Sequence, residues 1–142
     1  ILDDETDTSL RYAAKRGVDV KLILPHIPDK QYAYLVARTH FPGLIRAGVK
    51  IYEYMPGFVH AKSFVADDDR CTVGTINLDF RSLYLHFECG VFVYDNPVVA
   101  DVEADFQATL KNCRRITLAD CKEYPFAKKL AGKALRLIAP LL

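Results

Sequence analysis

Short runs of alternating residues, set between stretches with helical spacing, constrain this chain more than any other feature. Val18-Asp19-Val20-Lys21-Leu22-Ile23-Leu24 alternates, is rich in β-branched and aliphatic residues, and ends at Pro25. Val49-Lys50-Ile51-Tyr52-Glu53-Tyr54 repeats the pattern, and a period of two predicts strands. Residues 4–16 carry acids first and bases last, as a helix dipole prefers, and Gly17 is a natural stop. Residues 29–47 predict a second helix, broken or kinked at Phe41-Pro42-Gly43. After the turn Met55-Pro56-Gly57, residues 58–66 and 71–74 predict two strands joined by the acidic turn Asp67-Asp68-Asp69-Arg70. Residues 87–94 read as a long, buried apolar strand. Asn96-Pro97 opens a helix with Val98, Val102, Phe106 and Leu110 on one stripe. Strands alternating with helices predict the α/β class, a mixed β-sheet flanked by helices.

A chain of 142 residues has the size of one domain with a single core. No apolar stretch approaches the roughly 20 residues of a membrane-spanning helix. The only methionine is Met55 and the chain opens on Ile1-Leu2-Asp3-Asp4, so it is expected to be a piece of something longer. Cys71, Cys89, Cys113 and Cys121 show neither CxxC pairing nor zinc-finger spacing, which predicts free thiols and a cytosolic setting. The net charge of +1 is unevenly spread. Lys122, Lys128, Lys129, Lys133 and Arg136 face one acid, Glu123, so the last 21 residues carry +4 and the rest −3. That body is not the basic surface of a nucleic-acid binder. In the tail, Phe126, Leu130, Ala134, Leu137, Ile138 and Leu141 fall at helical spacing among the cations. Residues 1–121 are therefore expected to form a catalytic domain, and residues 122–142 a basic amphipathic helix suited to an anionic membrane surface.

Chemistry concentrates between His60 and Glu88. In a strand, His60 and Lys62 would project from one face, placing an imidazole beside an ammonium. The first is a competent nucleophile at neutral pH and the second a point-charge phosphate binder. Gly74 and Thr75 end the next strand in a tight turn that can aim the Thr75 hydroxyl and the Asn77 amide at the same place. One nucleophile ringed by donors suits phosphoryl chemistry. Glu88, inside the apolar run, needs a partner, and an imidazole N–H would satisfy it while fixing the tautomer of His60. His26, between prolines at a strand exit, is a candidate for lining the same cleft. His40 and His86 read as packing or surface residues, and the three aspartates as a turn rather than a metal site.

His60-x-Lys62-x4-Asp67-x6-Gly74-Thr75-x-Asn77 resembles the HKD signature of the phospholipase D superfamily. The surrounding text, GVDVKLILPHIPDK, AGVKIYEYMPGFVHAKSFVADD and VGTINLDFRSLYLHFECGVFVYD, resembles the C-terminal half of bacterial cardiolipin synthases over nearly the whole chain. The resemblance implies a phospholipase D-like half-domain that meets a second HKD half, from the same protein or a symmetric copy, at one active site. It implies a covalent phosphatidyl-histidine and transfer of phosphatidyl between two phosphatidylglycerol molecules with loss of glycerol. It implies no metal or other cofactor, and a place at the cytosolic face of the bacterial membrane. His60 is then nucleophile or acid–base, Lys62 and Asn77 bind phosphate, Glu88 orients the histidine, and Asp67 is structural despite its place in the signature. Gly74, Thr75 and His26 would contact substrate. The alternatives are a homodimeric phosphodiesterase or nuclease of the same superfamily, and an inactive lipid-surface module.

Overall fold

The computed structural model describes residues 1–141. Helix α1 (Asp4–Lys15) starts where the Asp3 carboxylate accepts the Thr6 N–H at 2.8 Å, and it ends ahead of Gly17 at φ 96°. Strand β1 (Lys21–Pro25) follows, then helix α2 (Gln31–Ala47), capped by Gly48 at φ 108°. Strand β2 (Lys50–Tyr54) lies parallel to β1, so α2 is the crossover of a βαβ unit.

Of the expected break or kink at Phe41-Pro42-Gly43, the break does not occur: α2 continues through Pro42. Proline removes one internal hydrogen bond, but α2 is packed on both sides, by α1 and by the C-terminal helix, and that packing holds the turn together.

The expected mixed sheet is divided in two. In the first, β1 and β2 are joined by β6 (Cys113–Ile116), antiparallel to β2. The second is an antiparallel meander of β3 (Lys62–Ala66), β4 (Arg70–Gly74) and β5 (Gly90–Tyr94). The division falls at residues 55–61, which pair with no strand and include Pro56, a residue without an N–H to donate. Helix α3 (Val98–Leu110) packs across both sheets through buried Val99. The core cluster is Phe41, Leu44, Val49, Ile51 and Ile116, between α2 and the first sheet.

Helix α4 (Leu118–Glu123) is short and opens with a capping box in which Thr117 and Asp120 satisfy each other's backbone N–H. Helix α5 (Phe126–Arg136) carries the basic tail and docks along α2. Contact is close at buried Gly132, where an added Cβ would lie 2.5 Å from the Leu35 carbonyl oxygen. Arg136 reaches Asp4 at 3.3 Å, tying α5 to α1 as well.

Residues 87–94 are not buried as expected. β5 is an edge strand, and Phe87, Val91, Phe92 and Tyr94 are all exposed. Among the described residues, α3 packs on the three-stranded meander and leaves these apolar side chains of β5 exposed.

Candidate active site

Antiparallel pairing decides which sequence-distant residues meet. Lys62 stands opposite Gly74, and Gly74 opposite Gly90, so the start of β3, the end of β4 and the start of β5 form one row at one end of the sheet. The HxK segment enters that end, the GTxN segment leaves it, and Glu88 arrives there two residues before β5. Three stretches spread over 29 residues of sequence thus converge by register alone.

Thr75 anchors the end of the row. Its N–H donates to the Cys89 carbonyl at 2.9 Å, the Cys89 N–H donates to its hydroxyl at 3.0 Å, and that hydroxyl donates to the Glu88 carboxylate. Hydrogen bonds from Thr75 and then Ser82, with the charges of His86 and Lys62 nearby, hold the Glu88 carboxyl below the usual glutamate range. Glu88 is an anion there, close enough to Lys62 for the ammonium to contribute.

Three details differ from expectation. β3 begins at Lys62, not at residue 58, so His60 precedes the strand and the same-face rule does not apply to it. The Lys62 ammonium turns back to donate to the His60 carbonyl oxygen at 2.7 Å, and the exposed His60 ring lies against Phe58, centroids 5.5 Å apart. Glu88 bonds Thr75 rather than His60, because the end of β4 brings the hydroxyl directly alongside it.

Asn77 lies three residues past β4, its side-chain amide 3.4 Å from the Ser82 hydroxyl. Ser82 is buried in a π-helical turn, Arg81–Leu85, whose first N–H groups are gathered by Asp79: its carboxylate accepts from Ser82 N at 2.8 Å. The Asp79-Phe80-Arg81-Ser82 stretch therefore shapes the floor beneath Asn77. Asp67 is not brought to the others. It sits in the β3–β4 hairpin at φ 55°, followed by Asp68 at φ 60°, a conformation aspartate tolerates better than most residues. It lies five positions along the chain from Lys62, about 17 Å in extended backbone.

His26 belongs to a second polar centre that sequence reading missed. Glu53, on β2, is wholly buried, yet four donors surround its carboxylate. These are the Tyr34 hydroxyl, Arg38 at 2.9 Å, His26 Nδ1 at 3.0 Å and Arg114 at 3.3 Å. Burial pushes the Glu53 carboxyl up, but bonds from Tyr34, His26 and Arg114 and the charge of Arg38 outweigh it and leave it below its ordinary value. The Arg38 guanidinium also lies 4.2 Å from the centroid of the Tyr124 ring, clamping α2, β2 and α4 together. The signal was present in the sequence: in the alternation of β2, Glu53 shares the inward face with Ile51, where an unpaired carboxylate has no place. The strand-exit His26 lies beside the chain leading to His60, since its N–H donates to the Tyr54 carbonyl at 3.0 Å. His40, as expected, is a packing residue, buried with Nδ1 3.1 Å from the Asp7 carboxylate.

A family profile described as "Cardiolipin synthase, PLD-like domain" matches residues 1–110. The chain belongs to the PLD-like domain family of cardiolipin synthases. A cardiolipin synthase of Clostridium perfringens is 40% identical over 140 residues, 99% of this chain and 29% of that protein. A Streptococcus mutans protein that carries no functional name is 53% identical over 142 residues, 100% of this chain and 31% of its own length. The chain thus spans less than a third of the length of these relatives. Among solved structures, the phospholipase D family member nuc from Salmonella typhimurium superposes with a TM-score of 0.70 at 19% identity, covering 82% of this chain and 76% of that one. The fold is therefore the phospholipase D fold, two small sheets flanked by helices. Among the described residues, no helix is long and apolar enough to cross a membrane.

Proposed function

We propose that this chain is one catalytic half, the C-terminal one, of a cardiolipin synthase that transfers phosphatidyl from one phosphatidylglycerol to another at the cytosolic membrane face. The observation that carries the reading is the convergence, by strand register, of the His60–Lys62, Thr75–Asn77 and Glu88 segments at one end of the second sheet.

In this reading the imidazole of His60 attacks the donor phosphorus. The bond from phosphorus to the glycerol oxygen breaks, and the departing oxygen takes a proton from the histidine of the other half-site. The acceptor's hydroxyl then gives its proton to that same histidine and attacks phosphorus, and the nitrogen–phosphorus bond breaks to regenerate His60. The Lys62 ammonium and the Asn77 amide exchange their present partners, the His60 carbonyl and Ser82, for phosphate oxygens. Glu88 and Thr75 fix the end of β4 from which Asn77 projects. The second half, or a second copy of this chain, would cover the exposed apolar surface of β5.

A chimaera tests this. The aligned segment of the Clostridium perfringens synthase is replaced with this chain, and labelled phosphatidylglycerol is supplied in mixed micelles with a chelator present. Cardiolipin and glycerol are expected, and His60→Ala in the chimaera should abolish both. A folded chimaera without turnover, or turnover that survives His60→Ala, would refute the assignment. Phosphodiester hydrolysis by this chain alone, lost in His60→Ala, would point instead to a homodimeric phosphodiesterase.

A further inference from the structure

Helix α5 shows an unusual division of its surface. Gly132 is buried against α2, with the Leu35 carbonyl and the Thr39 methyl in the way of any side chain. At about 100° per residue, Phe126, Leu130 and Leu137 fall within a sector of about 40° that points about 140° away from Gly132. Their exposures agree: Phe126 is 78% exposed, Leu130 58% and Leu137 86%. The apolar stripe of this helix thus faces away from the domain it is docked to. A helix whose small-residue face is its docking face has no freedom to roll the stripe inward.

Cations accompany the stripe. Lys129 and Lys133 lie on one flank of it within one turn, while Arg136 turns toward the docked face and is held by Asp4; without it, four lysines still face one acid from residue 122 onward. A protein partner's apolar groove would match the leucines but leave this one-signed charge unanswered. An anionic bilayer surface answers both, with apolar side chains entering the acyl boundary and lysine stems lying along it to reach the headgroups. From this we infer that α5 is an interfacial anchor that lays Phe126, Leu130 and Leu137 into a membrane rich in anionic phospholipid. The anchor is separate from the row of Lys62, Gly74 and Gly90 and does not depend on the reaction assigned to it.

The test is sedimentation of the full chain with vesicles, either of phosphatidylcholine alone or of equal parts phosphatidylcholine and phosphatidylglycerol. The chain should bind the mixed vesicles and not the neutral ones, and binding should weaken as salt is raised. Each lysine near the surface contributes about a fivefold gain in affinity, so Lys129→Gln with Lys133→Gln should weaken binding about 25-fold. Leu130→Ser with Leu137→Ser should weaken it at least tenfold while leaving the circular dichroism and the urea midpoint unchanged, since both side chains are exposed. Equal binding to neutral vesicles, indifference to the leucine changes, or a stripe buried by self-association of the chain would each overturn the anchor. Because the readout is binding, a failed turnover assay leaves it standing.

Discussion

Replacing Glu53 with glutamine changes almost no volume and removes one charge from a buried group held by four donors. The carboxylate accepts from Tyr34 and Arg38 on one oxygen and from His26 and Arg114 on the other. An amide keeps one acceptor and turns an NH2 group toward two donors. The Arg38 side chain is only 9% exposed, so its charge loses its counter-ion where water cannot replace it. Removing one partner of a buried ion pair costs about 3–5 kcal/mol, and the retained carbonyl places this variant near the lower end, about 3 kcal/mol. Arg114 touches the same carboxylate with a side chain 48% exposed, so Arg114→Ala should cost less than about 1 kcal/mol. Urea unfolding followed by circular dichroism checks both, as a shift of midpoint at constant slope. The pH dependence has a definite sign. The folded-state carboxyl of Glu53 lies below its unfolded value, so its contribution is complete above the ordinary glutamate range and is lost as pH falls through the depressed value. The gap between wild type and Glu53→Gln should therefore be constant near neutrality and close in acid. A cost below about 1 kcal/mol for Glu53→Gln, or equal costs for Arg38→Ala and Arg114→Ala, would refute the claim that burial sets the worth of these bonds.

Gly132→Ala should weaken the docking of α5 on α2, because its Cβ would lie 2.5 Å from the Leu35 carbonyl oxygen. The overpacking cost of about 1–3 kcal/mol outweighs the gain of about 1 kcal/mol in helix propensity, and faster amide exchange confined to α5 is the readout. Of the eight tyrosines, Tyr34 and Tyr84 should ionise late in an ultraviolet titration. Burial and then the bond to Glu53 push Tyr34 up to about 12, and the bond to Asp3 does the same for Tyr84. Asp3→Asn should return only Tyr84 to the ordinary range. The raised value at Tyr34 means that its stabilisation is complete below the ordinary tyrosine range and is lost as pH climbs towards 12.

Elements that the sequence announced are those whose ends carry their own chemistry. Asp3 and Gly17 delimit α1, Gly48 closes α2, and Asn96 opens α3 by accepting the Val98 N–H at 3.0 Å. β6 was invisible, because Cys113-Arg114-Arg115-Ile116 has two cations in four residues and becomes a strand only when β2 offers it an edge. The π-helical turn at Arg81–Leu85 has no periodicity to read; Asp79 and the floor beneath Asn77 define it. The HKD spacing pointed to a candidate neighbourhood, but spacing assigns side chains to a neighbourhood and not to partners. The sequence reading gave Glu88 the imidazole of His60 as its partner, and the pairing of β4 with β5 gives it Thr75 instead. Glu53 went unnoticed because its partners come from three elements that share no sequence pattern.

The cross-strand pair of Gly74 and Gly90 has a consequence for how such a site can change. A Cβ at Gly74 would sit 2.4 Å from the Cys89 carbonyl oxygen, so the two strands are seated backbone to backbone there, with no side chain to act as a spacer. Sliding β5 by one residue would carry Glu88 to the opposite face and take Thr75 from Cys89 in the same step. This end of the sheet therefore shifts as a unit: the placements of Glu88 and Thr75 cannot drift independently, and a change of register loses both together rather than gradually.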